Sequence, residues 1–146
     1  MRFLFILLIS SFIFACSTDK KSETGFDKDL KQVIKETHPD GSPKTVEYTE
    51  SSSGELKGKL EYYPTKKPFR EWHMDKGLLN GESRSYYEDG KPWSLNTYTN
   101  DTLNGPYTTW HANGKVYIQG QYVHGEPSGQ WLFFKDDGTI ARQVQY

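Results

Sequence analysis

Glycine returns every 24 residues between Gly77 and Gly138, and that period constrains the fold more than any other feature of the sequence. Gly81, Gly105 and Gly129 form one series, Gly90, Gly114 and Gly138 a second, and Gly77, Asp101 and Gly125 mark a third set of turns. Aromatic residues keep the same step. Tyr62, Tyr86, Trp110 and Phe134 are one such row, Phe69, Trp93 and Tyr117 another, and Tyr98, Tyr122 and Tyr146 a third, with Met74 in the equivalent earlier place. Upstream, the stretch from Thr37 to Tyr48 mirrors that from Tyr86 to Tyr98, which predicts a strand over residues 32–38. A short helix from Phe26 is the alternative, because Leu30, Val33 and Ile34 are spaced as on a helix face. The copy from Tyr62 to Phe69 has Lys66 where the others have glycine, so its turn is expected to differ.

Asp89-Gly90, Asn113-Gly114 and Asp137-Gly138 are hairpin signals, because a two-residue type I′ turn needs positive φ at both central positions. Each copy then reads as one hairpin. A two-residue turn pairs Glu88 with Lys91 and sets Tyr86 opposite Trp93 and Trp110 opposite Tyr117, so that with Phe134 these rings form structural ladders from copy to copy. A three-residue loop closed by a bulge at the glycine would slip the pairing by one and send the rings to opposite faces. The expectation is the first register, in which two periodic rows of rings meet.

Composition agrees with a thin sheet. After Cys16 the chain has 19 aliphatic side chains against 18 aromatic ones, too few for a conventional two-layer core. The fold class expected is all-β: an elongated, single-layer antiparallel meander of about four stacked hairpins over residues 32–146. The formal net charge of -1, with no basic block, argues against nucleic acid as a partner.

The N-terminus is of another kind. MRFLFILLISSFIFAC has one early basic residue, an apolar run too short for a bilayer span, and the only cysteine, followed at once by polar STDKKSE. Residues 1–15 read as a signal peptide, and Ile13-Phe14-Ala15-Cys16 resembles a bacterial lipobox, in which the cysteine is lipidated and becomes the mature N-terminus. Cleavage after Ser17 to leave a soluble protein is the alternative. Residues 16–31 read as the lipidated cysteine and a flexible tether.

The Gly-x(4)-aromatic stretches, the Asp/Asn-Gly-Lys/Thr turns and the later Tyr leading to Leu-Asn-Gly or Pro-Ser-Gly resemble MORN-type repeats. The likeness is to the variant form found in bacterial secreted and lipoprotein chains, including the YwqK-family antitoxins. It covers about residues 32–146 and implies the same meander of hairpins. The family label implies an antitoxin, although an exported lipoprotein would meet only a toxin acting outside the cytoplasm.

No phosphate loop, zinc-finger spacing or nucleophile elbow occurs, so no catalytic residue, metal or cofactor is expected. His38, His73, His111 and His124 lack the spacing of a helical ligand pair, and Glu82, Glu88 and Glu126 sit at strand starts or turns, as surface charges do. Partner binding is assigned to the row Tyr63, Tyr87, His111 and Lys135, adjacent in sequence to the structural rings and therefore expected on the opposite face. The function this implies is a membrane-anchored module of the bacterial cell envelope, facing outside the cytoplasm and binding a protein. A cell-wall glycan is the alternative ligand, since rings with polar tips also stack on sugars.

Overall fold

The computed structural model describes residues 25–146. The predicted signal peptide, Cys16 and the first part of the tether lie outside the described residues. Ten strands follow one another in a single antiparallel sheet, ordered as they occur in the chain. They are β1 (Lys31–Thr37), β2 (Pro43–Thr49), β3 (Leu56–Tyr62), β4 (Pro68–Asp75), β5 (Leu78–Tyr86), β6 (Pro92–Thr99), β7 (Thr102–Trp110), β8 (Val116–Val123), β9 (Glu126–Phe134) and β10 (Ile140–Gln145). The meander predicted from the period is therefore present, as five hairpins where about four were expected, with β1 and β2 forming the upstream copy. β1 also settles the choice between strand and helix, since residues 31–37 are extended and paired.

The two ends of the sheet turn differently, and the difference follows from backbone φ. At one end β4–β5, β6–β7 and β8–β9 join through Lys76-Gly77, Asn100-Asp101 and His124-Gly125, with both residues of each pair at positive φ. These are the two-residue type I′ turns. At the other end only one loop residue has positive φ: Gly41, Lys66, Gly90, Gly114 and Gly138. There the Gly90 amide donates to the Tyr87 carbonyl and the Tyr87 amide to the Lys91 carbonyl, both at 2.8 Å, enclosing a three-residue loop. The predicted register holds along the strands, with Ser85 opposite Ser94 and Thr109 opposite Ile118, but a bulge beside the loop shifts the last pair by one. Tyr86 stands opposite Pro92 rather than Trp93, and Trp110 opposite Val116 rather than Tyr117.

The physical reason lies in the side chain before the glycine. The Asp89 carboxylate accepts the Lys91 amide at 3.0 Å, Asn113 accepts that of Lys115 at 2.9 Å, and Asp137 that of Thr139 at 2.7 Å. Asp and Asn are there to close a local ring with the amide two residues on, rather than to adopt positive φ themselves. The Lys66 loop does not differ after all. Its amide donates to the Tyr63 carbonyl at 2.9 Å as Gly90 does to Tyr87, and Lys66 takes φ 66° in place of glycine.

Residues paired across strands share a face, so the register assigns two. Val46, Tyr48, Leu60, Glu71 and Arg84 lie on the front; Trp72, Ser83, Asn96, Tyr107 and Gly120 lie on the back. The front core is small: Phe26, Val46, Tyr48 and Leu60, with Leu30 and Tyr62 against them. Phe26 belongs to the stretch expected to be free tether, yet it is 3% exposed. Its ring stacks between Tyr48 at 4.1 Å and His73 at 4.7 Å, and it lies on Gly58, where a Cβ would overlap it. From Gly25 onward the predicted tether is therefore a strap packed on the front of the first hairpins. The back core lies toward the other end of the sheet, where Trp131 covers Gly120 and packs with Tyr107, Tyr122 and Tyr146 at ring distances of 5.4, 5.0 and 6.1 Å.

Candidate functional site

Four of the five three-residue loops follow a residue of the predicted binding row and the first follows His38, and the structure shows what most of those residues do. The Tyr63 hydroxyl donates to the Tyr86 carbonyl at 2.9 Å, and the Tyr87 hydroxyl to the Trp110 carbonyl at 2.8 Å. His111 Nε2 meets the Phe134 carbonyl at 3.0 Å, and His38 Nε2 meets the Tyr62 carbonyl at 3.1 Å. A carbonyl only accepts, so both imidazoles carry their proton on Nε2. Tyr and His at this position do the same work: each clasps the copy that follows it. Lys135 occupies the equivalent place and bonds through its backbone to Thr139.

The rings of that row do not stand alone on their face; they pair with the row of Phe69, Trp93 and Tyr117. Tyr63 packs against Phe69 at 5.0 Å, Tyr87 against Trp93 at 6.4 Å and His111 against Tyr117 at 4.6 Å. The result is a ladder of ring pairs at the loop end of the sheet. The first member of each pair is fixed by its carbonyl bond, while Trp93 and Tyr117 remain 42% and 45% exposed. Sequence reasoning found both rows and mispaired them, because it placed the glycines in the wrong class of turn. Tyr86 is the ring that turns away, its hydroxyl 3.5 Å from Glu71 on the front. Burial, then the Glu71 charge, raises its pKa above the ordinary tyrosine range.

Beside the ladder, on the back, lies a depression of about 250 Å³. Register explains it. Ser83 and Ser85 on β5 stand beside Asn96 and Ser94 on β6, so that four small polar side chains form a floor. Trp72 and Arg70 on β4 flank it on one side, Tyr107 on β7 stands on the other, and Trp93 and Tyr98 complete the wall. The Arg70 guanidinium lies over Phe69 at 5.0 Å and Trp72 at 5.3 Å. Although Glu61 stands opposite Arg70 on β3, the two form no ion pair. Sequence reasoning missed this trough, since its serines and asparagine acquire meaning only when the register sets them side by side.

Among the described residues no group of three or more His, Cys, Asp or Glu is arranged to hold a metal ion, and no helix is long and apolar enough to cross a membrane. The fold and the clasped loops define an open sheet of β-hairpin repeats. Residues 79–100 and 103–124 match the MORN repeat variant, so the chain carries repeats of that type through its centre. Those two segments run from the first strand of one hairpin through the strand that follows it, in register with the type I′ turns. Similarity also extends to a solved structure, the Glycosylation Associate Protein (Gap123) complex from Streptococcus agalactiae, at 11% identity and a TM-score of 0.49. That match covers 76% of this chain and 20% of the other, so the chain spans about a fifth of the length of the protein it matches. No curated protein matches the chain.

Proposed function

We propose that this chain is a lipid-anchored repeat module of the bacterial cell envelope, facing outside the cytoplasm, which holds a protein partner on its ring ladder and performs no catalysis itself. The lipobox-like Ile13-Phe14-Ala15-Cys16 supports the anchor, with Cys16 as the lipidated residue. The observation that carries the binding reading is the exposure of Trp93 and Tyr117 on hairpin ends already locked by Tyr87 and His111. Large rings held on a rigid frame lose little freedom when a partner covers them, which is why such residues dominate interface energetics. A toxin acting outside the cytoplasm would be one partner of this kind.

Two experiments test the reading. Metabolic labelling with a palmitate analogue is expected to mark the wild type and not Cys16→Ser; label retained in the variant would remove the anchor. A photo-crosslinking residue at position 117 in intact cells is expected to capture one discrete protein, while the same residue at the exposed position 126, at the opposite end of the sheet, captures none. Equal capture at both positions, or none at 117, would overturn the ladder as the binding surface.

A further inference from the structure

We propose that the trough on the back of β4–β6 binds a saccharide unit bearing a carboxylate. This goes beyond the protein-binding reading, sharing Trp93 with it and resting otherwise on Arg70, Ser94 and Asn96. A pyranose ring has one face of C–H groups and an equator of hydroxyls. It is held where an accessible aromatic face adjoins several short donors and acceptors, and the trough has that composition. Trp72, Trp93 and Tyr98 form its walls, and Trp93 is 42% exposed, so its ring is open to stacking. The serine hydroxyls and the Asn96 amide supply both donors and acceptors along the floor.

Charge selects the class of sugar. Among the described residues Arg70 is the one charged side chain lining the trough, and no carboxylate lines it. Its guanidinium is oriented by the two rings it covers and makes no ion pair with a described residue, which leaves its donor edge for an incoming carboxylate. The floor is uncommitted as well: among the described residues, neither Ser94 nor Asn96 makes a side-chain hydrogen bond, whereas Ser83 is bound to the Glu71 carbonyl at 3.1 Å.

The test uses the full chain in detergent, with an oligoglucuronate and the neutral oligoglucose of equal length as probes, read by tryptophan fluorescence and calorimetry. The oligoglucuronate is expected to saturate the protein and shift its emission, and the neutral oligomer to bind about tenfold more weakly for want of the charged contact. Arg70→Gln should bring the acidic probe down to the neutral one, and Trp93→Ala should abolish both. Arg142→Gln, whose guanidinium lies on Phe133 at 4.2 Å and away from the trough, should change neither. Circular dichroism identifies any variant that has lost its fold, in which case Ser94→Tyr, which fills the floor, takes its place. Absence of saturation, equal affinity for the two probes, or an equal loss in Arg142→Gln would each overturn the proposal. Crosslinking at position 117 in cells carrying Arg70→Gln separates the two readings, because a failed trough leaves that capture intact.

Discussion

At the N-terminal end the sheet is covered on its front by a strap from outside the repeats, with Phe26 lying between Tyr48 and His73. Toward the C-terminal end it is covered on its back by rings from the strands themselves, with Trp131 among Tyr107, Tyr122 and Tyr146. Both clusters seat one large ring on a strand glycine, Gly58 or Gly120, where any Cβ would overlap the ring. A one-layer sheet has no common interior. Each end excludes water locally, on whichever face has a ring to do it, and the hairpins between them are held by clasps from copy to copy. The stretch that neither cluster covers, on the back of β4–β6, is where the trough opens.

The largest effects should come from removing the two central rings. Trp131→Ala and Phe26→Ala are each expected to lose about 3–5 kcal/mol in denaturant unfolding, since each leaves a cavity that its glycine floor cannot fill. If Phe26→Ala were neutral, the strap would be decoration and the comparison would fail. Gly58→Ala should cost about 1–3 kcal/mol, because the new Cβ meets both the Phe26 ring and the Trp72 carbonyl. Gly54→Ala, with open space around it, tests crowding against backbone strain alone. Tyr87→Phe keeps the ring and removes the clasp, for a loss of about 1 kcal/mol. An unchanged midpoint would mean that the carbonyl bond to Trp110 contributes nothing.

Lys66→Gly should act in the opposite direction, gaining about 0.5–1 kcal/mol because the left-handed φ of Lys66 is strained for a residue with a Cβ. The smallest effects are in pH. Asp40, Asp89 and Asp137 are held below the ordinary carboxylate value of 3.8 by hydrogen bonds from Ser42, Lys91 and Thr139. The folded state therefore binds protons less readily than the unfolded one, so their contribution is present above that value and is lost as pH falls through it. Asp137→Ala should flatten the acid limb of the thermal midpoint by lowering it slightly at neutral pH, where the contribution is present, and leaving it unchanged well below pH 3.8. At alkaline pH the sign reverses. Burial raises the Tyr62 and Tyr107 phenols above the ordinary value of 10.0, so stability declines as pH climbs past it and the unfolded chain ionises first.

The period of glycines and rings was enough to predict the hairpin meander, since Gly77, Asp101 and Gly125 mark turns in step with those at Gly90, Gly114 and Gly138. The turn class was less legible, because Asp-Gly serves a two-residue turn through its φ and a three-residue loop through its carboxylate. Lys66 could not decide it, since lysine takes positive φ both in its three-residue loop and, as Lys76, in a two-residue turn. Phe26 was hidden by its polar neighbours, which read as tether. The strand glycines Gly58 and Gly120 went unread, although a glycine inside a strand marks a close approach. For the site, the rows through Tyr87 and Trp93 were visible but mispaired, and the trough required the register.

The central claim is that two separate ring clusters stabilise opposite ends of one sheet, and backbone hydrogen exchange measures it most directly. In Phe26→Ala, protection should fall over Pro43–Tyr62 and stay near wild type over Val116–Phe134; in Trp131→Ala the pattern should invert. An equal fall across all ten strands in both variants would contradict the account and show that the sheet stands or unfolds as one unit.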